Sequence, residues 1–229
     1  MVAIIIIVAI VAIYVWWKKS HYNDSPYVKN LIKGRNDDQK AVIRYFCNES
    51  SCLSKKPISD SQYDQMVLAA LNRNDFKQKA LAKIGLDEDQ LKEIEPVHFE
   101  GFRFGNDAFA LCGNDGKWRS SKYQVSWLFF SATQLYLYQY TFNMDEDGKK
   151  EATEEYFYRD VTNFSASTTT EETRTYDKAQ KKVVTKNVDS NEFAITVPGD
   201  KFYCALDQND YTERAIQGMK AMLREKKNA

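Results

Sequence analysis

The sequence predicts an α+β chain carried on an N-terminal transmembrane helix, and three observations lead there. An uninterrupted apolar run opens the chain, and apolar residues then recur at helical spacing as far as Pro96. From Val97 the period switches to two, until one last amphipathic helix closes the sequence.

The opening run extends from Val2 to Trp17 and stops abruptly at Lys18 and Lys19. As a helix it reaches about 24 Å at roughly 1.5 Å per residue, a little short of the roughly 30 Å hydrocarbon core. Tyr14, Trp16 and Trp17 stand where an interfacial aromatic belt belongs, and Lys18 and Lys19 can snorkel past it as membrane-interface anchors. A cleaved signal peptide would begin with a basic region and close on small residues, whereas this run starts uncharged and closes on Trp-Trp-Lys-Lys. Lys18, Lys19, Lys29, Lys33 and Arg35 all follow the run. The expectation is therefore a single-pass protein of the cell membrane with its globular part in the cytoplasm, at the inner face of a bacterial-type membrane.

Composition bounds the rest. The 229 residues carry 32 Lys+Arg and 32 Asp+Glu, so no global field favours nucleic acid or an anionic surface. Tyrosine and phenylalanine concentrate between Phe99 and Tyr211, which favours β-structure. Cys47 and Cys52 are near enough to pair, and two disulfides would suit an exported domain. A cytosolic placement favours free thiols instead, with Cys112 and Cys204 as small buried hydrophobes. A zinc site is not expected: no C-x-x-C occurs, and His21 and His98 lie far from any cysteine pair.

Residues 20–96 read as a helical spacer module. Ser25-Pro26 is an N-cap followed by proline at the first helical position, with Gly34 as the stop. A second helix carries Ala41, Val42, Tyr45 and Phe46. Tyr63, Met66, Val67, Ala70 and Leu71 share one face of a third. Phe76, Ala80 and Ile84 form another face ending at Gly85, and Asp87 with Gln90 makes a capping box for a last short helix closed by Pro96. In the run from Lys79 to Ile94, Gly85 and Leu91 have the spacing of a helix-turn-helix. Leu81 occupies the position where that motif wants alanine, and Asp87-Glu88-Asp89 would repel a phosphate backbone, so a packing module is the better reading.

Residues 97–229 read as short antiparallel strands and a capping helix. Tyr123, Val125, Trp127 and Phe129 alternate with their neighbours, and Leu135 to Phe142 do the same across the tight connection Ser131 to Gln134. Asp147-Gly148 is a hairpin turn, after which Glu155 to Val161 continues the sheet. Further strands are expected at Phe99 to Phe104, Ala108 to Cys112, Thr168 to Tyr176, Val183 to Val188, Phe193 to Val197 and Phe202 to Leu206. Asp210 and Glu213 read as the capping box of the closing helix, whose Tyr211, Ala215, Met219, Met222 and Leu223 share one face.

Val125-Ser-Trp-Leu-Phe-Phe-Ser-Ala-Thr-Gln-Leu-Tyr-Leu-Tyr-Gln-Tyr, the Asp-Gly turn and Tyr156-Phe-Tyr-Arg-Asp-Val-Thr-Asn-Phe-Ser resemble the signature of bacterial pleckstrin-homology-like domains, including GRAM-like ones. The resemblance covers roughly Val97 to Lys227. It implies a bent antiparallel β-barrel capped by the C-terminal helix, on a fold used mostly for binding lipids or proteins. Where lipid-binding members carry a basic loop, this chain offers Lys117, Arg119 and Lys122 as possible lipid or phosphate contacts.

Asn143, Asp145, Asp147, Gly148 and Glu154 reproduce the spacing of an EF-hand loop, but Asn143 replaces the usual aspartate, Lys150 stands at an apolar position and the flanks read as strands. A solvated acidic hairpin tip is expected instead of calcium. Lys178, Lys181 and Lys182 read as a polar turn, and the tyrosines between Tyr136 and Tyr158 as packing before partner surface. No nucleotide-binding or hydrolase motif occurs. The sequence thus points to a membrane-tethered, non-catalytic binding or assembly module with a protein partner, and with no cofactor, metal or nucleic acid. Phospholipid-headgroup sensing through the Lys117 loop is one alternative, and an enzyme of unrecognised type is another.

Overall fold

One strand sets the layering, because its two faces belong to two different cores. The computed structural model describes residues 2–49, 54–86 and 95–228. In β4 (Lys122–Phe130), Tyr123, Val125 and Phe129 join one cluster of buried residues, while Leu128 and Phe130 join another. Its neighbour β5 (Gln134–Asn143) divides the same way, with Tyr136 and Tyr138 on the first side and Leu135 and Leu137 on the second. Successive side chains of a strand point to opposite faces, so a strand apolar on both needs a cover on each.

The first cover is helical. It consists of α3 (Asp37–Cys47), α4 (Asp60–Asn72) and α5 (Phe76–Ile84), which send Val42, Tyr45, Phe46, Tyr63, Val67, Phe76 and Ala80 onto β4 and β5. Local chemistry starts each helix where the sequence indicates. Asn36 with Gln39 and Ser59 with Gln62 form capping boxes, Asp75 accepts from the Gln78 N–H, and Gly85 ends α5 in the left-handed region at φ 77°. The shorter α2 (Pro26–Leu31) starts at Ser25, whose Oγ accepts from the Val28 N–H.

The second cover is a separate sheet. β1 (Val97–Arg103), β4, β5 and β6 (Lys149–Phe157) form an antiparallel sheet in the order β1-β4-β5-β6, and β2 (Ala110–Cys112) pairs only with β3 (Trp118–Ser120). β7 (Asn163–Asp177), β8 (Lys182–Val197) and β9 (Asp200–Ala205) make a third sheet. Phe164, Phe193, Ile195 and Cys204 from it meet Phe99, Leu128 and Leu137, and α6 (Asp210–Asn228) seals this core with Ile216, Met219 and Leu223. Fully burying such a side chain is worth about 1.5–3 kcal/mol, so this packing outweighs any single surface contact.

The architecture is α+β with antiparallel sheets and a C-terminal helix, but it corrects the expected barrel. The described strands lie in three sheets, and none closes on itself. After β6 the chain turns at Arg159 and Asp160 and crosses to the other layer instead of pairing on. The reason is the double-sided hydrophobicity of β4 and β5, which calls for a layer on each face.

The transmembrane anchor is also corrected. The apolar run is helical, α1 (Val2–Ser20), yet among the described residues no helix is long and apolar enough to cross a membrane. Its apolar part is short of a hydrocarbon core and its last turn carries Lys18 and Lys19. With it go the expectations of a single-pass span, a membrane localisation and a cytoplasmic body fixed by that span. Trp16 and Trp17, read as interface anchors, are exposed; Trp17 meets the His21 ring, and the Lys18 ammonium lies over Tyr14.

Smaller differences are informative. The two strands expected between Val183 and Val197 are one continuous β8. The cap of α6 is Asn209 rather than Asp210: its Oδ1 accepts from the Tyr211 and Thr212 N–H groups, and Thr212 Oγ1 accepts from its own N–H. The acidic tip between β5 and β6 is solvated only in part, with Asp147 and Gly148 exposed. Asp145 is buried, Gln39 Nε2 donates to Asp147 at 2.7 Å, and Arg35 pairs with Glu146 at 2.9 Å, which docks the tip on the start of α3. Cys112 is exposed, while Cys47 and Cys204 are buried free thiols. Cys52, the Asp87–Gln90 capping box and the Asp87-Glu88-Asp89 run fall outside the described residues.

Candidate functional site

A cavity opens where the helical layer, the β2–β3 hairpin and the two larger sheets meet. Its volume is about 580 Å³. One wall is α4, with Asp64, Val67 and Leu68; the opposite wall comes from β8 at Asp189, Ser190 and Asn191. The β2–β3 hairpin contributes Lys117, Trp118 and Arg119, and Phe102 with Tyr123 lies between. Gly101 shapes it from below. The Asp207 N–H donates to the Glu100 carbonyl at 2.9 Å, and a Cβ at Gly101 would meet the Leu206 backbone at 3.3 Å. A side chain at this position would push the segment after β9 back from β1 by a few tenths of an ångström.

A second cavity of about 190 Å³ runs from Ala166, Ser167 and Thr168 of β7 to Thr212, Glu213 and Ile216 of α6. The two share Asn191, Leu206 and Gln208 as lining residues. They are neighbours, and between them they extend from α4 to the start of α6.

The basic residues expected at this place are brought together only in part. Arg119 is 4% exposed and grips two carboxylates. Its Nε and Nη2 donate to Asp64 at 2.7 and 2.8 Å, and its Nη1 and Nη2 donate to Asp115 at 2.9 Å each. These bonds hold Asp115 well below the usual carboxylate range and push the Arg119 guanidinium further up. Lys122 Nζ is hydrogen-bonded to Asp107, which lowers that carboxyl too, and it does not line the cleft. Lys117 does line it, and among the described residues its ammonium has no ion-pair partner.

The acidic side of the cleft is less compensated. Among the described residues Asp189 accepts only the Thr170 hydroxyl, at 2.8 Å. Among the described residues no cation pairs with Asp207. Behind Tyr123 lies Glu100, whose carboxylate accepts the Tyr123 hydroxyl; burial pushes its pKa up, against the lowering effects of His98 and Tyr123, and Asp207 adds to the rise. Burial and Glu100 together drive the Tyr123 phenol upward as well.

The shifts among the lining groups do not poise a proton near neutrality. Arg119 is held cationic and Tyr123 neutral, each in its resting state. Among the described residues no group of three or more His, Cys, Asp or Glu side chains could hold a metal ion. Asn143, Asp147 and Glu154, with EF-hand spacing, are separated by strand geometry: Asn143 ends β5, Glu154 sits within β6 and Asp147 is engaged by Gln39.

Sequence reasoning located the hairpin and missed the cleft. Asp64, Leu68, Phe102, Trp118, Asn191 and Asp207 come from five separate segments. One local signal existed: Asp189-Ser190-Asn191, a polar interruption in an otherwise strand-like run, looks like a turn but faces the cleft.

No family model, curated protein or solved structure matches the chain, and none of them identifies a pleckstrin-homology-like domain in it.

Proposed function

We propose that this chain is a non-catalytic binding module that takes an extended segment of a protein partner in the cleft between α4 and α6. The observation that carries the reading is the adjacency of two cavities that share Asn191, Leu206 and Gln208 as lining residues, which suits an extended segment better than a compact ligand. Leu68, Phe102, Trp118 and Tyr123 offer apolar and aromatic surface for side chains, and such surface with a few placed polar groups is the usual make-up of a recognition site. The headgroup reading is less well supported. Of the three cations it needs, Arg119 and Lys122 are already engaged by carboxylates.

The test is a peptide-display selection against the full chain, followed by binding measurements on Leu68→Glu. Leu68 is 54% exposed and lines the cleft, so it can be changed without opening the core. Loss of at least about tenfold in affinity is expected, against none for Phe157→Glu on the distant exposed part of β6. Equal binding by both variants would overturn the reading.

A further inference from the structure

We infer that the outer edge of β7 between Ala166 and Glu172 is a self-association surface, where a second copy of this chain adds its own β7 antiparallel and joins the two three-stranded sheets into one.

The direction of the backbone groups follows from the ladder. β7 and β8 pair without a break from Asn163↔Thr196 to Asp177↔Lys182, so inward and outward groups alternate along the whole strand. The Arg174 N–H donates away from β8, to the Ala108 carbonyl at 3.1 Å. On β8 the Asn191 carbonyl, opposite Thr168, turns away from β7 and accepts the Leu206 N–H at 3.0 Å. Both bonds fix the same phase. The N–H and C=O groups of Ala166, Thr168, Thr170 and Glu172 therefore point outward, and among the described residues no backbone group bonds to them. The side chains of all four residues are exposed.

An open edge is a template for another strand, and proteins guard it with charge, proline or cover. The other edges of this chain are guarded. β6 carries Lys149, Lys150, Glu151, Glu154 and Glu155, and the part of β8 beyond β9 carries Lys182, Lys186 and Asp189. On β1 the Glu100 carbonyl takes the Asp207 N–H, and on β9 the Gln124 and Gln139 side chains bond the Ala205 N–H and the Tyr203 carbonyl. From Ala166 to Thr170, β7 reads Ala-Ser-Thr-Thr-Thr, with neither charge nor proline.

This edge is complementary to itself. In an antiparallel pair centred on Thr169, Ala166 meets Glu172 of the second copy and Thr168 meets Thr170, so outward groups face outward groups on both strands. Thr169 meets its own equivalent, and facing threonines suit a strand pair. Glu171 then lies opposite Ser167, so no like charges face each other. A pair centred on Glu171 would set that carboxylate against itself.

The experiment uses the full chain carrying Cys52→Ser and Cys112→Ser. Adding Thr169→Cys should give a disulfide-linked dimer on mild oxidation, because facing residues of a non-hydrogen-bonded pair lie about 4.5 Å apart at Cα, within disulfide reach. Adding Ala166→Cys instead should give at least about tenfold less, since its equivalents stand about 20 Å apart in this register. In sedimentation equilibrium of the otherwise unchanged chain, Ser167→Glu places a carboxylate opposite Glu171 twice and should weaken dimerisation at least about threefold, whereas Ser167→Lys should tighten it. Melting curves verify the fold of each variant. A chain that stays monomeric, equal crosslinking at the two cysteine positions, or equal dimerisation of the two Ser167 variants would overturn the inference. Association that none of these changes alters would place the contact elsewhere, as on the exposed α1, and would overturn it too.

Discussion

Arg119 and Asp64 lie face to face across the junction of helix and hairpin, Nε 2.7 Å from one carboxylate oxygen and Nη2 2.8 Å from the other. The pair fastens β3 to α4 and forms one wall of the cleft, with Asp115 closing the same guanidinium from its own hairpin. Lysine cannot reproduce this fork.

Arg119→Lys and Arg119→Met should therefore each cost about 1.5–3 kcal/mol in urea unfolding, the range for hydrogen bonds to a charged group. The cost stays in that range because Asp64, once released, is exposed enough to regain water, its side chain being 41% accessible. Asp64→Asn, which leaves the half-exposed Asp115 as partner, should cost less. An Arg119→Met chain as stable as wild type would show the clasp to be incidental.

Leu223→Ala should destabilise the chain by about 2–5 kcal/mol, because Leu223 is buried against the second core with Met219 and Ile216. Arg224→Ala, one residue on and exposed, should change stability by less than about 0.5 kcal/mol. Thermal melts compare them directly. Coincident melts would mean that α6 is not docked.

Much of this was legible in the residues. The alternation of Tyr123, Val125, Trp127 and Phe129 marked β4, and Ser25 and Gly85 marked helix ends where they occur. The layering was less visible, because Leu128 and Phe130 make β4 apolar on its second face, and period two alone does not say what covers each face. The cleft was hidden for a different reason. Its residues converge only through tertiary packing, and the polar Asp189-Ser190-Asn191 run that marks it imitates a turn. Asn209 is masked as the α6 cap because Asp210 and Glu213 show the capping-box spacing one residue later.

Glu100 makes stability depend on pH in a predictable direction. Burial raises its folded pKa above the ordinary glutamate value of 4.5, so the folded chain holds this proton more tightly than the unfolded one. Stability from this group therefore falls as pH rises from that value through the folded pKa, and levels off above it. Glu100→Gln, which keeps an acceptor for Tyr123, should gain on wild type in melting temperature as buffers go from acidic to neutral. A constant difference across that range would contradict the assignment.

Thiol reactivity should divide by burial. Burial pushes the Cys47 thiol up to about 12 and the Cys204 thiol up to about 11, leaving both protonated and enclosed, whereas Cys112 is exposed. Cys112→Ser should remove one fast-reacting thiol from a disulfide-exchange titration of the native chain, and Cys204→Ser should remove none until denaturant is added. A fast phase unchanged by Cys112→Ser would refute this.

The most direct test of the binding cleft is an NMR chemical-shift map of the isotopically labelled full chain titrated with a display-selected peptide. The account predicts that the largest shifts fall on Leu68, Gly101, Trp118, Asn191 and Gln208, on both sides of the trough and along its length. Shifts confined to surfaces away from these residues, such as the exposed part of β6 around Phe157, would contradict it.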